Sequence, residues 1–366
     1  MRDLNETHLQ DIATGAAVLG TGGGGNPYIG YLIGREAIRA NGPVQLVTAD
    51  ELAAQHGDDA LVVPIAMMGA PTVHVEKLPG HLDYSAGLRA IEQHFGRKVV
   101  AIMPIEIGGS NSMIPLAAAA QMRLPVVDAD AMGRAFPELQ MATFTMHNIA
   151  ATPMFIADEK GNYAILHTID NVWTERFARA LTVQMGARAL TADFTVTVRQ
   201  VKEAAILGTI TLAEKIGRTI REAQANNQNV VQAVQQQTGA FHLFQGKVTD
   251  VARRTTDGFA RGTVTLANND DQLTVDFQNE FLIARRNGNP VAMTPDLITM
   301  LDAESGTPIT TESLRYGLRV AVLGLPTDPC WRTPAGLALV GPDYFGYREP
   351  YTPIEQLCTQ YSQIEN

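Results

Sequence analysis

Three short apolar runs constrain this 366-residue chain more than any other feature: Leu61-Val62-Val63-Pro64-Ile65, Lys98-Val99-Val100-Ala101-Ile102 and Pro125-Val126-Val127. Each has the length of a buried strand, and helical patterns near 83–95 and 112–123 separate them. Parallel strands need a crossover between them, so this alternation builds a parallel sheet with helices on its faces. The N-terminal half is therefore predicted as a three-layer αβα domain with a largely parallel sheet. In such sheets ligands bind beyond the carboxyl ends of the strands.

Those ends carry the informative residues. The first run leads into Met68-Gly69-Ala70-Pro71-Thr72, with Glu76-Lys77 beyond. The second leads into Glu106-Ile107-Gly108-Gly109-Ser110-Asn111-Ser112, a glycine turn entering a helix. The third leads into Asp128-Ala129-Asp130-Ala131-Met132-Gly133-Arg134, with Glu138 four residues after the arginine. Glu106, Asp128 and Asp130 make a candidate carboxylate cluster for a general base or a divalent metal such as zinc, with His147 as a further candidate ligand. Each has a plainer role open to it. Asp130 can cap a helix at Ala131, Asp128 can close an Asx turn, Glu76 can sit on a solvated face, and Arg134 can pair with Glu138. No HExxH or DxDxDG spacing occurs, so pattern alone does not establish a metal.

Upstream lies Leu19-Gly20-Thr21-Gly22-Gly23-Gly24-Gly25-Asn26-Pro27-Tyr28. Consecutive glycines are costly to order, so they mark positive φ or a very close backbone approach. Asn26 can cap a following helix and Pro27 suits its first position, which makes the loop a candidate anion or polar-ligand site. Gly20-x-Gly22-x-x-Gly25 matches the dinucleotide fingerprint in letters, but the residues before it follow a helical pattern behind Asn5, and no Gly-Lys-Ser/Thr follows. No nucleotide is expected. The candidate ligand-binding set is Thr21, Gly22, Gly23, Gly24, Gly25, Asn26, Gly69, Glu76, Gly109, Asn111 and Arg134.

Residues 154–158 and 162–166 read as a hairpin. A helix from Asp170 places Trp173, Phe177, Leu181 and Met185 on one side, as core or interface. Helices are also predicted over 211–226 and 230–237. From Phe241 onward short alternating strands, ending with 319–325 and 337–340, predict a mostly-β, barrel-like domain with inserted helices. The boundaries expected are 1–167 and 168–366. Glu280, in Asn279-Glu280, interrupts an apolar strand and is a third catalytic candidate beside Glu106 and Asp128. The loop 341–347 either lids a cleft or closes the barrel.

The net charge of −10 and the absence of a basic block argue against a nucleic-acid surface. No apolar stretch of about 18 residues predicts a membrane span. The two cysteines, Cys330 and Cys358, have no CxxC spacing, and a cytoplasmic setting is expected. Cys330 has no basic neighbour in sequence and reads as an unreactive thiol.

Taken together, 19–28, 68–77, 106–112, 127–138, 279–284, 295–317 and 341–347 resemble the S-methyl-thiohydantoin desulfurase domain family, which is associated with hydantoinase- and oxoprolinase-type proteins. The resemblance runs over almost the whole chain. It implies an αβα domain joined to a β-barrel-like one, and hydrolysis of a small cyclic imide, desulfurising a thiohydantoin or S-methyl-thiohydantoin to the hydantoin. The alternative it implies is a non-catalytic ligand-binding or regulatory partner of a hydantoinase or oxoprolinase; a homo-oligomer is a further expectation, and a nucleotide-dependent enzyme the least favoured one.

Overall fold

A computed structural model describes residues 1–69, 84–256 and 259–364. Glu76, and with it the stretch 70–77, lies outside the described residues. Strands are β1 (Arg2–Leu4), β2 (Val44–Val47), β3 (Leu61–Gly69), β4 (Val99–Pro104), β5 (Val126–Val127), β6 (Ala129–Asp130), β7 (Met154–Ala157), β8 (Tyr163–Leu166), β9 (Arg188–Ala192), β10 (Val196–Thr197) and β11 (Ile206–Leu207). The first sheet runs β1-β2-β5-β4-β3-β9-β7-β8, with β10 also on β3. Its centre, β2-β5-β4-β3, is parallel, and the flanking pairs are antiparallel.

Both faces of this sheet are covered, as the unbroken apolar runs require. Along β3, Leu61, Val63, Ile65 and Met67 enter one core, while Val62 and Ala66 enter the other. The first core contains helix Glu6–Leu19, capped by Asn5, and helix Thr209–Ala225. These two helices approach closely at small residues: a Cβ on Gly15 would lie 1.8 Å from the Ala213 carbonyl oxygen. The second core holds Ala178 from helix Asn171–Gln184.

The C-terminal strands are β12 (Phe241–Thr256), β13 (Phe259–Asn268), β14 (Asp271–Gln278), β15 (Glu280–Arg286), β16 (Asn289–Met293), β17 (Leu297–Asp302), β18 (Pro308–Ile309) and β19 (Arg319–Leu325). They form one antiparallel sheet, β16-β15-β14-β13-β12-β19-β17-β18, and among the described residues no pair closes it into a barrel. The helical insertions fall at Thr209–Ala225 and Val230–Thr238 as the periodicity predicts. Residues 337–340 differ from expectation. They end a helix, Pro334–Val340, because Thr333 caps it and Pro334 takes the first position. No helix among the described residues is long and apolar enough to cross a membrane.

Candidate functional site

Two glycine turns meet back to back. The carbonyl of Gly24 accepts from the Ser110 amide at 2.8 Å and from Ser110 Oγ at 3.0 Å. A Cβ on Gly109 would lie 2.3 Å from Gly24 backbone atoms, and one on Gly22 would strike the Phe281 ring. The glycine loop thus spends its freedom on contact with the chain itself. It is entered from a helix, so the strand that the dinucleotide fingerprint requires is not what precedes it.

Where the turns meet, a cleft of about 720 Å³, mouth included, opens between the loop, β3, β4 and the start of β15. Gly24, Gly25, Gly69, Glu106, Asn111 and Glu280 line it, so one site gathers residues from four separate stretches of the chain. Asp193, after β9, joins them.

Asn111 organises this wall. Its Oδ1 accepts from the Met67 amide at 2.8 Å, while Nδ2 donates to the Met67 carbonyl at 3.1 Å and to Glu106 Oε1 at 2.6 Å. The paired bonds to one peptide unit fix which end of the amide faces Glu106. Glu106 Oε2 is buried without a hydrogen-bond partner among the described residues, and the same holds for Glu280 Oε2 and Asp193 Oδ1. Burial pushes Glu106 up to about 8 against the opposing pull of the Asn111 bond, with Asp130 raising it further. Burial likewise pushes Asp193 up to about 7. For Glu280, burial and then the Glu106 carboxyl raise it well above the carboxylate range, against the pull of Arg134. Three buried carboxyls lining one cleft disfavour their charged forms.

Asp128 and Asp130 stay out of this wall. Asp130 Oδ2 accepts the amides of Ile107, Met132 and Gly133 at 2.8, 3.1 and 2.8 Å, a turn-closing role, although burial still raises it to about 7. Asp128 accepts the Thr211 amide at 3.0 Å and its hydroxyl at 2.5 Å, tying down the first turn of helix Thr209–Ala225. His147 is exposed at the end of the short helix Thr143–Met146. Glu106, Asp128, Asp130 and His147 therefore do not fit a common metal, and among the described residues no three His, Cys, Asp or Glu side chains converge as a cation site.

Arg134 is likewise not a ligand residue. Fully buried, it donates through Nη1 to the carbonyls of Pro295 (2.8 Å) and Asp296 (3.0 Å). Nη2 reaches Thr21 Oγ1 (2.8 Å) and the Phe281 carbonyl (3.5 Å), Nε reaches the Ala135 carbonyl, and the guanidinium lies over Phe136. Its donors are consumed inside the fold, so neither a substrate carboxylate nor Glu138 is its partner. Thr21 serves that clamp, and Asn26 caps helix Pro27–Asn41 through the Tyr28 amide, away from the cleft. Burial pushes the Cys330 thiol up, opposite to what a nucleophile needs.

Sequence reasoning missed Asp193 because β9 went unread. An acidic residue closing the Arg188–Ala192 run was the available signal, the same one that marked Glu106. The loop 341–347 does not line the cleft; its Tyr344 donates at 2.7 Å to Oε2 of Glu138, which does.

Residues 7–168 match the family model described as the S-Me-THD-like N-terminal domain, and residues 169–354 match the S-Me-THD-like C-terminal domain. The crystal structure of a protein from Chromobacterium violaceum, a structural-genomics target, superposes with a TM-score of 0.81 at 24% identity, over 97% of this chain and 100% of that one. At that identity the likeness speaks for the fold alone. No curated protein matches the chain.

Proposed function

The chain belongs to the S-Me-THD-like family, and on that premise we propose that it hydrolyses a small cyclic imide, releasing sulfur from C2 of a thiohydantoin or S-methyl-thiohydantoin to leave the hydantoin. One observation carries this reading: Glu106, Asp193 and Glu280 line one cleft, each with a buried oxygen that has no partner among the described residues. Water attacks C2 while Asp193, pushed up to about 7, takes a proton from it. Glu106, held protonated near neutrality, gives a proton to the ring nitrogen or the departing sulfur, and Glu280 donates a hydrogen bond to the exocyclic C4 carbonyl oxygen. The C2–S bond breaks as C2–O forms. From S-methyl-thiohydantoin one water proton ends on the ring nitrogen and one on methanethiol; from a thiohydantoin, whose ring nitrogens already carry hydrogen, both end on hydrogen sulfide. Environments that push carboxyl pKa values to different levels are how a site assigns acid and base roles. No step is routed through a metal, because the candidate donors do not meet.

The test is incubation of the purified chain with S-methyl-thiohydantoin in ¹⁸O-water, with and without chelator, following thiol release and the mass of the hydantoin. Thiol release with one ¹⁸O at C2 supports the reading, and its absence under both conditions ends it. A second reading, a ligand-binding subunit of a hydantoinase- or oxoprolinase-type assembly or a self-associating one, draws on Trp173 and Phe177. Predicted as core or interface, they remain 38% and 47% exposed. That reading predicts no turnover by the chain alone, while cyclic imides still raise its melting temperature.

A further inference from the structure

The outer face of the second sheet carries a cavity that shares no described lining residue with the cleft. Along β14, Val275 and Phe277 enter the core, so Asp276 and Gln278 point to the opposite face. There the register sets Arg254 of β12 directly opposite Arg261 of β13, and Arg261 directly opposite Gln278 of β14. Side chains opposite one another on adjacent strands share a face, so these three form one row. The row borders a cavity of about 1040 Å³, mouth included, whose wall is completed by Phe345 and Tyr347 of the loop 341–347.

Like charges directly opposite each other destabilise an antiparallel pair. Neither the Arg254 nor the Arg261 side chain makes a hydrogen bond or ion pair among the described residues, and Arg261 Nε is buried. Arg261 finds only the Phe259 ring, 5.9 Å from its centroid. Gln278 is 6% exposed, yet its side-chain amide has no hydrogen-bond partner among the described residues either. Leaving such a group unpaired is costly. Asp276, the one carboxylate among the described lining residues, is already engaged: Oδ1 accepts from Thr263 Oγ1 at 2.6 Å and Oδ2 from Arg285 Nη1 at 2.9 Å. Arg285 also lies over the Tyr347 ring, 5.5 Å from its centroid, which leaves the Tyr347 hydroxyl as a further donor without a partner among the described residues.

Two guanidiniums, an amide and a phenol thus surround one space in a chain whose net charge is −10. A dianion compensates both guanidiniums, whereas a carboxylate leaves one uncompensated. A phosphoryl group also offers enough oxygens for two forked donors and an amide. The rings of Phe345 and Tyr347 give a planar apolar body a surface to lie on, which inorganic phosphate does not use.

We propose that this cavity is a binding site for a small organic phosphate, its phosphoryl group held by Arg254, Arg261 and Gln278 and its body against Phe345 and Tyr347. The site is independent of the hydrolysis proposed for the cleft.

The test is calorimetric titration of the full chain with phenyl phosphate, inorganic phosphate and benzoate at about pH 8, where a phosphate monoester is close to a dianion. It is repeated on Arg254→Gln, on Arg261→Gln and, as a charge control, on Arg199→Gln, which removes an exposed arginine of helix Val198–Ala204. Phenyl phosphate is expected to bind the wild type at least about tenfold more tightly than either other probe, and each of the first two variants to weaken it about tenfold or more, as loss of a charge-assisted bond does. Arg199→Gln leaves it unchanged. Arg254 is exposed and unpaired, so its variant reports on binding even where Arg261→Gln loses packing on Phe259. A wild type that does not bind phenyl phosphate overturns the proposal, as does unchanged affinity in Arg254→Gln. Equal weakening by Arg199→Gln overturns it too, because the general field of the protein would then be what attracts the anion. Benzoate or inorganic phosphate binding as tightly as phenyl phosphate overturns the ligand class.

Discussion

The Cβ that Gly23 lacks would stand 1.9 Å from Glu280 Oε1. The glycine loop is thus shaped around a carboxyl of the second sheet, and the two halves of the chain complete one another at this point. Gly23→Ala must push the Glu280 side chain aside, and its backbone does not have the positive φ that would add strain. Turnover is expected to fall about 10²-fold with only a small change in melting temperature, as loss of one acid–base group does. Gly24→Ala differs: φ is +73° and the new methyl meets the Gly108 carbonyl oxygen at 2.6 Å. It should cost about 1–3 kcal/mol or more in stability. Urea unfolding beside kcat separates the two, and equal destabilisation by both would deny the cradle its role.

Arg134 ties the glycine loop to the loop at Pro295–Asp296 through fixed donors, and Asp296 supplies its countercharge. Removing a buried, fully bonded charge leaves four carbonyls and the Thr21 hydroxyl without this donor. Arg134→Met is expected to lose about 3–5 kcal/mol. Arg134→Lys is not expected to rescue it, since an ammonium cannot span Thr21, Pro295 and Asp296 at once. Denaturant midpoints of the two variants check this.

Much of the site was legible because strand ends collect ligands in a parallel sheet: Gly69 ends β3, and Glu106 and Asn111 follow β4. Glu280 was legible as a charge breaking an apolar strand. What local pattern could not show was distance. Asp128 and Asp130 look alike in sequence, yet Asp128 is taken up by Thr211 and Asp130 closes a turn through Oδ2, leaving only its buried Oδ1 without a partner among the described residues, and Arg134 sits four residues from Glu138 without pairing with it. β9 escaped because Arg188–Ala192 is short and joins β3 from about 120 residues away in sequence, a contact that no local periodicity encodes. The helix at Pro334–Val340 escaped because its cap and proline were outweighed by an apolar run of strand length.

Asp128 should behave as a cap and not as a metal ligand. Asp128→Ala removes the acceptor for the Thr211 amide and hydroxyl, and a loss of about 1 kcal/mol is expected. Chelator treatment should not reproduce that loss. If chelation lowers the melting temperature and Asp128→Ala abolishes the metal response, Asp128 is a ligand after all.

The raised Glu106 pKa carries a sign for stability. An unfolded glutamate ionises near 4.5, whereas folded Glu106 stays protonated until about 8. Between those values the folded state binds more protons than the unfolded one, so stability falls as pH rises across this window and levels off above it. Glu106→Gln removes this term. Whatever the variant costs at pH 5, its stability relative to wild type should improve by up to a few kcal/mol by pH 8.5. Parallel unfolding curves at the two pH values measure the difference directly, and a constant gap would mean that Glu106 ionises normally.

The same groups predict the shape of the pH–rate curve. Asp193 must be ionised to act as base, so activity rises through about pH 7, and Glu106 must stay protonated to act as acid, so activity falls through about pH 8. The bell is expected to peak between these values. Asp193→Asn should erase the acidic limb and Glu106→Gln the alkaline one, each with a drop of about 10²-fold or more. Asn111 supplies an independent check, because its bond to Glu106 Oε1 favours the ionised form and lowers the pKa. Breaking that bond in Asn111→Leu removes the stabilisation and carries the alkaline limb to higher pH. A variant that merely loosened β3 would lower kcat at every pH and leave the limb where it was; a limb shifted downward would show that the amide holds Glu106 in its protonated form.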